Sequence, residues 1–359
     1  MKWMEEKYCE VLDNLGTYSR EPFKKAFSIV QRYLECFSRY YEVGLEIGDR
    51  LRDFKPSRMV YLGIGGSAIV GDFISKIVQD IPIRIHRDYT VLKLNPDDLI
   101  VAVSYSGDTA EIFPTILDNL HINRRMVVIT SGGTLRRLAE KKNFPIVMLE
   151  QGIPPRYAFP HTFGAVTGLL KSLNIKFEDL MQNLDMAKTV QDLVSPETPM
   201  SRNLAKRSAS KIIDLLPIVY GYGKAAPIAY RLKCQLNENS KLFSHFCELP
   251  EALHNDVEVF DEKTILLAPR LSNEPKEINE VYRLLSSFLE ERFIELKVQA
   301  GSIIEEILSL LILVDYISLY AAVLRNVDPL SLLVIPRLKD QNRIYPEILK
   351  CVDEKLEEW

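Results

Sequence analysis

The chain is expected to fold as two α/β units, each a central parallel sheet in a three-layer αβα sandwich, and three observations predict it. Short β-rich runs alternate with helix-like segments, a glycine-rich turn follows the first strand, and the same order of elements restarts in the second half. With 359 residues, 47% of them apolar, the chain can bury a substantial core, and its length favours two domains.

From Pro22 to about Gly48 apolar residues recur at helical spacing, so a leading helix precedes the sheet. Strands are then expected at Met59–Leu62, Ile83–His86, Leu99–Val103, Met126–Ile129 and Pro145–Met148. The segment GIPPRYAFP, Gly152 to Pro160, carries three prolines that resist helix continuation and reads as a connector. After a helical region come a strand at Pro217–Tyr220, the turn Gly221-Tyr222-Gly223, a helix to about Asn237, and strands at Thr264–Leu267 and Phe293–Val298. The expected organisation is a helical segment 1–48, a first α/β domain 49–152, a connector with helices 153–205, a second domain 206–339 and an extension 340–359.

The most apolar stretch, Ile303 to Leu324, contains Glu305, Glu306 and Asp315, which suit a core helix better than a membrane span. A formal net charge of -4 provides no general basic surface for nucleic acid or anionic lipid, so phosphate recognition would have to be local. The five cysteines form no C-x-x-C pair and the first residues lack an apolar signal segment, so a reducing, cytoplasmic setting is expected.

The run YLGIGGSAIVG, Tyr61 to Gly71, joins the first strand to a helix through a turn able to hold a phosphate. Taken alone it fits a dinucleotide, a sugar phosphate or a structural turn; Asp88 lies near the position of a dinucleotide's ribose acid. The third strand runs into Ser104-Tyr105-Ser106-Gly107-Asp108-Thr109-Ala110-Glu111, which places hydroxyls and backbone N–H groups at a helix start. That neutral cradle suits a compact phosphate monoester; capping by Asp108 or Thr109 would account for only part of the set.

GIGGSA followed by SYSGDTAE resembles the two phosphate-binding signatures of the sugar isomerase (SIS) domain, and the repeated α/β order resembles the two-SIS phosphoglucose isomerase superfamily. The resemblance implies that Gly66, Ser67, Ser104, Ser106 and Thr109 hold the substrate phosphate. Downstream, ENSK (Glu238 to Lys241) and ELPEALHND (Glu248 to Asp256) resemble the catalytic segments of archaeal-type bifunctional phosphoglucose/phosphomannose isomerases. Moving a carbonyl between C1 and C2 requires one base to take a proton from one carbon and return it to its neighbour. Glu238 is the candidate base, and His254 the candidate for opening the sugar ring.

Arg156 resembles the family arginine that stabilises negative charge on the enediolate. Asn326-Val327-Asp328-Pro329 resembles a family turn, but Leu330-Ser331 stands where the family has a threonine associated with handling both C2 epimers. Lys339, with Arg337 as the alternative, is the basic residue expected to face the sugar. Metal and cofactor are expected to be absent, since no H-x-H or further ligand spacing accompanies His245 and Glu248. The resemblance also implies a homodimer whose catalytic histidine enters from the partner. A non-catalytic SIS phosphosugar-binding regulator and a nicotinamide dehydrogenase remain as alternatives.

Overall fold

The alternation of β-rich and helical runs is realised as two parallel sheets. The computed structural model describes residues 2–121, 125–177 and 184–358. Strands β1 (Arg58–Leu62), β2 (Ile83–His86), β3 (Asp98–Ser104), β4 (Met126–Thr130) and β5 (Ile146–Met148) form one sheet in the order β2-β1-β3-β4-β5. Strands β6 (Leu216–Gly221), β7 (His245–Glu248), β8 (Thr264–Arg270) and β9 (Phe293–Lys297) form the other, ordered β7-β6-β8-β9. Every pairing between these strands is parallel. Both sheets begin with the same crossover, second strand, first, third, fourth, which supports an internal repeat. Strand β7 was not expected: His-Phe-Cys-Glu sits at a sheet edge with none of its residues fully buried, so it has no apolar run to announce it.

The compact units differ from the expected domain boundaries. One comprises Met1–Leu34 with Glu178–Ser331, the other Glu35–Phe177 with Leu332–Trp359. Residues 332–359, expected partly in the second domain and partly as a separate extension, thus group with the first sheet. The reason is an apolar stripe on the helix Ile344–Glu358: Val352 is fully buried in the same cluster as Phe113, Ile116, Leu135 and Leu138, with Ile348, Leu349 and Leu356 packed against it. Arg137 pairs with Asp353 at 2.6 Å. Alternate residues of the strands, Val60, Leu62, Ile100, Ala102 and Val128, supply the sheet side of this cluster. On helices Tyr33–Asp49 and Phe159–Ser172, glycines permit close contact. A Cβ at Gly168 would overlap the Tyr41 carbonyl oxygen and lie 2.9 Å from Leu45 N.

The unit built on the second sheet is organised around the helix Ile303–Leu324. This helix is long and apolar enough to cross a membrane, and 94% of its most apolar window is buried inside the protein. Its carboxylates are all engaged. Glu305 accepts from Met186 N at 2.7 Å and Glu306 from Ser272 N at 2.9 Å. Asp315 accepts from Arg231 Nε at 2.9 Å and Nη2 at 2.6 Å, and from Tyr33 Oη at 2.7 Å. Burial works against charge on Arg231, but Asp315 and Tyr33 outweigh it and its pKa rises. Removing one member of such a pair leaves a buried charge uncompensated. Asp315→Asn is therefore expected to destabilise this unit by about 3–5 kcal/mol, read as a lower urea midpoint.

Candidate functional site

In the order β2-β1-β3-β4-β5 the chain reverses direction across the sheet between β1 and β3, and ligands of open α/β sheets bind beyond the strand ends at such a switch point. Both phosphate signatures sit there. Gly65, with φ +56°, lets the chain turn from β1 into the helix Gly66–Ile77, leaving Gly66 and Ser67 half-buried at its N-terminus. The loop after β3 meets the loop after β4 backbone to backbone. Gly107 has φ +80°, and a Cβ there would overlap the Gly132 carbonyl oxygen and stand 2.8 Å from Gly133 Cα.

The hydroxyls in this loop have distinct placements. Ser104 is fully buried; its Oγ accepts from Gly107 N at 3.0 Å and lies 2.7 Å from Thr109 Oγ1. The two hydroxyls share one hydrogen bond in which either can donate, and this contact places Ser104 to orient Thr109. Thr109 is half-buried and Ser106 exposed, with Ser106 Oγ accepting from Asp108 N at 3.2 Å. Asp108, one of the two capping candidates, accepts from Thr134 N at 2.8 Å and so caps a neighbouring helix, Gly133–Lys142. Asp88, the candidate ribose acid, is exposed and accepts from Thr90 N at 3.2 Å, closing its own turn.

Arg156 is 3% exposed in the short helix Pro155–Ala158 and is brought to the glycine turn: its Cα lies 3.3 Å from where a Gly66 Cβ would stand. Its guanidinium carbon is 5.0 Å from the Tyr157 ring centre. Lys339 is exposed, with Nζ 5.3 Å from the centre of the Tyr345 ring. Burial pushes the Tyr345 hydroxyl up to about 12, against the opposing influence of Ala110 N–H, while Glu111 and Asp108 add to the rise and the Thr109 hydroxyl opposes it. The C-terminal segment therefore reaches the phosphate loop of its own unit. Arg337 is exposed on the same helix, Val334–Gln341.

In the other unit, Glu238 is half-buried near the end of the helix Ala226–Asn239. Lys241, with φ +54°, folds back to donate from Nζ to the carbonyls of Glu238 at 2.6 Å, Asp328 at 2.8 Å and Ser331 at 2.7 Å. ENSK and the Asp328–Ser331 turn are thus one structure. Asp328 Oδ1 accepts from Leu330 N at 2.7 Å within it. Asn239 Nδ2 donates to Ser318 Oγ at 2.9 Å, and burial pushes the Cys234 thiol up.

His254 is exposed at the end of the short helix Glu251–His254. His245 lies with Nε2 2.6 Å from Asp256 Oδ2 and ties the His254 segment to β7. Lys241 and Tyr345 are neighbours of the candidate residues that the sequence did not single out. Of these, Lys241 already stood inside a recognised motif, and only its bonding to a distant turn was invisible.

Residues 201–341 match the family described as bacterial phospho-glucose isomerase C-terminal SIS domain. A bifunctional phosphoglucose/phosphomannose isomerase of Caldicellulosiruptor bescii is 30% identical over 350 residues, covering 88% of this chain and 98% of the relative. The chain belongs to the bifunctional phosphoglucose/phosphomannose isomerase family. A D-glucosamine-6-phosphate 4-epimerase of Sulfolobus acidocaldarius is 34% identical over 207 residues, 57% of this chain and 65% of that protein. Among solved structures, the C-terminal domain of glucosamine-fructose-6-phosphate aminotransferase from Francisella tularensis aligns with a TM-score of 0.66 at 14% identity. It covers 85% of this chain and 98% of that one, which places the SIS fold across the family member described here.

Two substitutions probe the local geometry of this isomerase. Gly107→Ala cannot keep φ +80° against Gly132 and should weaken inorganic phosphate binding at least tenfold, measured by calorimetric titration. Lys241→Met removes the cation from three carbonyls and should lower kcat at least tenfold; unchanged kcat would show that the staple does not position Glu238.

Proposed function

We propose that this isomerase interconverts glucose 6-phosphate and fructose 6-phosphate, and also accepts mannose 6-phosphate, through a cis-enediolate and without a metal at the sugar. The observation that carries the reading is the Lys241 staple, which joins the ENSK segment bearing the candidate base to the Asp328–Ser331 turn, two segments that the resemblance picks out. The full-length likeness to the Caldicellulosiruptor enzyme supports it.

In this reading Thr109, Ser106, Ser67 and the Gly66 N–H hold the phosphate, and Ser104 orients Thr109. His254 moves the proton that opens the ring. Glu238 then takes the C2 proton of the open aldose, giving an enediolate whose negative charge on O1 Arg156 stabilises; the O2 proton passes to O1, and Glu238 returns its proton to C1 as the carbonyl forms at C2. Lys339 faces the sugar hydroxyls. The working enzyme is read as a cytoplasmic homodimer that takes His254 of the partner subunit, and the exposure of this residue suits such a role. Leu330-Ser331 stands where the family has the threonine associated with both C2 epimers, so the two aldose 6-phosphates are to be assayed side by side.

The test is a coupled assay of all three hexose 6-phosphates with chelator present. Glu238→Gln should lower kcat by about 10²–10⁴ while fructose 6-phosphate still binds. Binding without turnover in the unaltered protein would favour a phosphosugar-binding regulator. Glucosamine 6-phosphate belongs in the same assay. Epimerisation of that sugar, with no turnover of fructose 6-phosphate, would move the chain to the chemistry named for the Sulfolobus relative.

A further inference from the structure

Three side chains remote from one another in sequence converge in the unit built on the first sheet. Cys36 lies on the helix Tyr33–Asp49, His161 on the helix Phe159–Ser172, and Glu150 just beyond β5. One ligand atom from each falls within 4.8 Å of the others. His161 Nε2 and Glu150 Oε2 are 3.8 Å apart. Cys36 is 4% exposed and His161 2%, whereas the Glu150 side chain is 32% exposed and opens the cluster to solvent. We propose that Cys36, Glu150 and His161 form a binding site for a thiophilic divalent cation of the Zn²⁺ type, which fastens the connector that begins at Glu150.

The donor set selects the ion. One thiolate, one imidazole and one carboxylate suit Zn²⁺ or Co²⁺, whereas Mg²⁺ and Ca²⁺ require shells of oxygen. Bonds of about 2.0–2.3 Å in a tetrahedron set ligand atoms roughly 3.3–3.7 Å apart, so closure needs movement of only about 1 Å. The surroundings hold the ligands in place. Tyr40 packs its ring 4.8 Å from that of His161, and its hydroxyl accepts from Glu150 N at 2.8 Å. The close helix contact at Gly164, where a Cβ would stand 3.0 Å from Tyr41 N, brings the two ligand-bearing helices together. A water reaching Glu150 from solvent can complete four-coordination.

Glu150 links this cluster to the phosphate loop. Its carbonyl accepts from Tyr105 Oη at 2.9 Å, and the same hydroxyl accepts from Ile153 N at 3.1 Å. Tyr105 stands between Ser104 and Ser106, and Arg156 follows a few residues along the connector. A cation on the Glu150 carboxylate therefore stiffens the segment between the loop and Arg156 without touching the sugar, so it can be detected independently of turnover.

Co²⁺ titrated into chelator-treated full-length protein should give a thiolate-to-cobalt charge-transfer band and tetrahedral visible bands, saturating at one ion per chain. Zn²⁺ should displace it and raise Tm by a few degrees. Cys36→Ser should abolish the charge-transfer band, whereas Cys9→Ser and Cys234→Ser should retain it. Absence of the band, or its survival in Cys36→Ser, overturns the site. Should Cys36→Ser not fold, His161→Gln carries the test: a Co²⁺ Kd at least tenfold weaker supports the site, and an unchanged Kd overturns it.

Discussion

The loop after β3 depends on one backbone contact, that of Gly107 with Gly132 and Gly133. Neighbouring parallel strands deliver their loops to the same end of the sheet, and these two loops interlock through Leu135 N to Gly107 O and Ser131 N to Tyr105 O, both 2.9 Å. The contact also decides where Asp108 points. A carboxylate inside an anion-binding loop would repel its ligand, but this one is turned onto the N-terminus of the helix Gly133–Lys142, whose own N-cap, Gly132, offers no side chain. The interlock thus sets the Asp108 carboxylate on a neighbouring helix dipole instead of among the loop's hydroxyls and N–H groups.

In the other unit the corresponding constraint is a cation among carbonyls. The three hydrogens of an ammonium group radiate from one atom, so Lys241 can satisfy three carbonyls that converge from a helix end and a turn. The left-handed backbone at Lys241 costs on the order of 1 kcal/mol for a residue with a Cβ, and the three charge-assisted bonds offset it. A positive charge there also complements the C-terminal end of the helix Ala226–Asn239. The result fixes the last helical turn, and with it the direction in which Glu238 leaves the backbone.

What could be read from the sequence was whatever local chemistry dictates. Glycine before a helix, hydroxyls after a strand and a long apolar run with embedded acids each carry their reason within a dozen residues, and each appears where expected. What could not be read depends on contacts between distant residues. β7 forms because β6 offers an edge, not because HFCE favours a strand. The C-terminal helix belongs with the first sheet because its stripe at Tyr345, Ile348, Leu349, Val352 and Leu356 fits a cluster defined by residues far upstream. Ser104 looked like a ligand because composition cannot distinguish a hydroxyl facing solvent from one buried beneath its neighbour.

Charge placement connects these features. A chain with net charge -4 repels phosphate at long range, so attraction has to come from oriented groups at short range. Two acidic residues of this unit are engaged locally: Asp108 by a helix start, and Asp72 by its ion pair with Arg87. Aligned N–H groups and a polarised hydroxyl act over a few ångströms and need no reorganisation when the anion arrives. Placing Arg156 in a buried turn beside Gly66 follows the same logic: its cation is held in place by the fold, unlike a basic side chain on a long exposed stem.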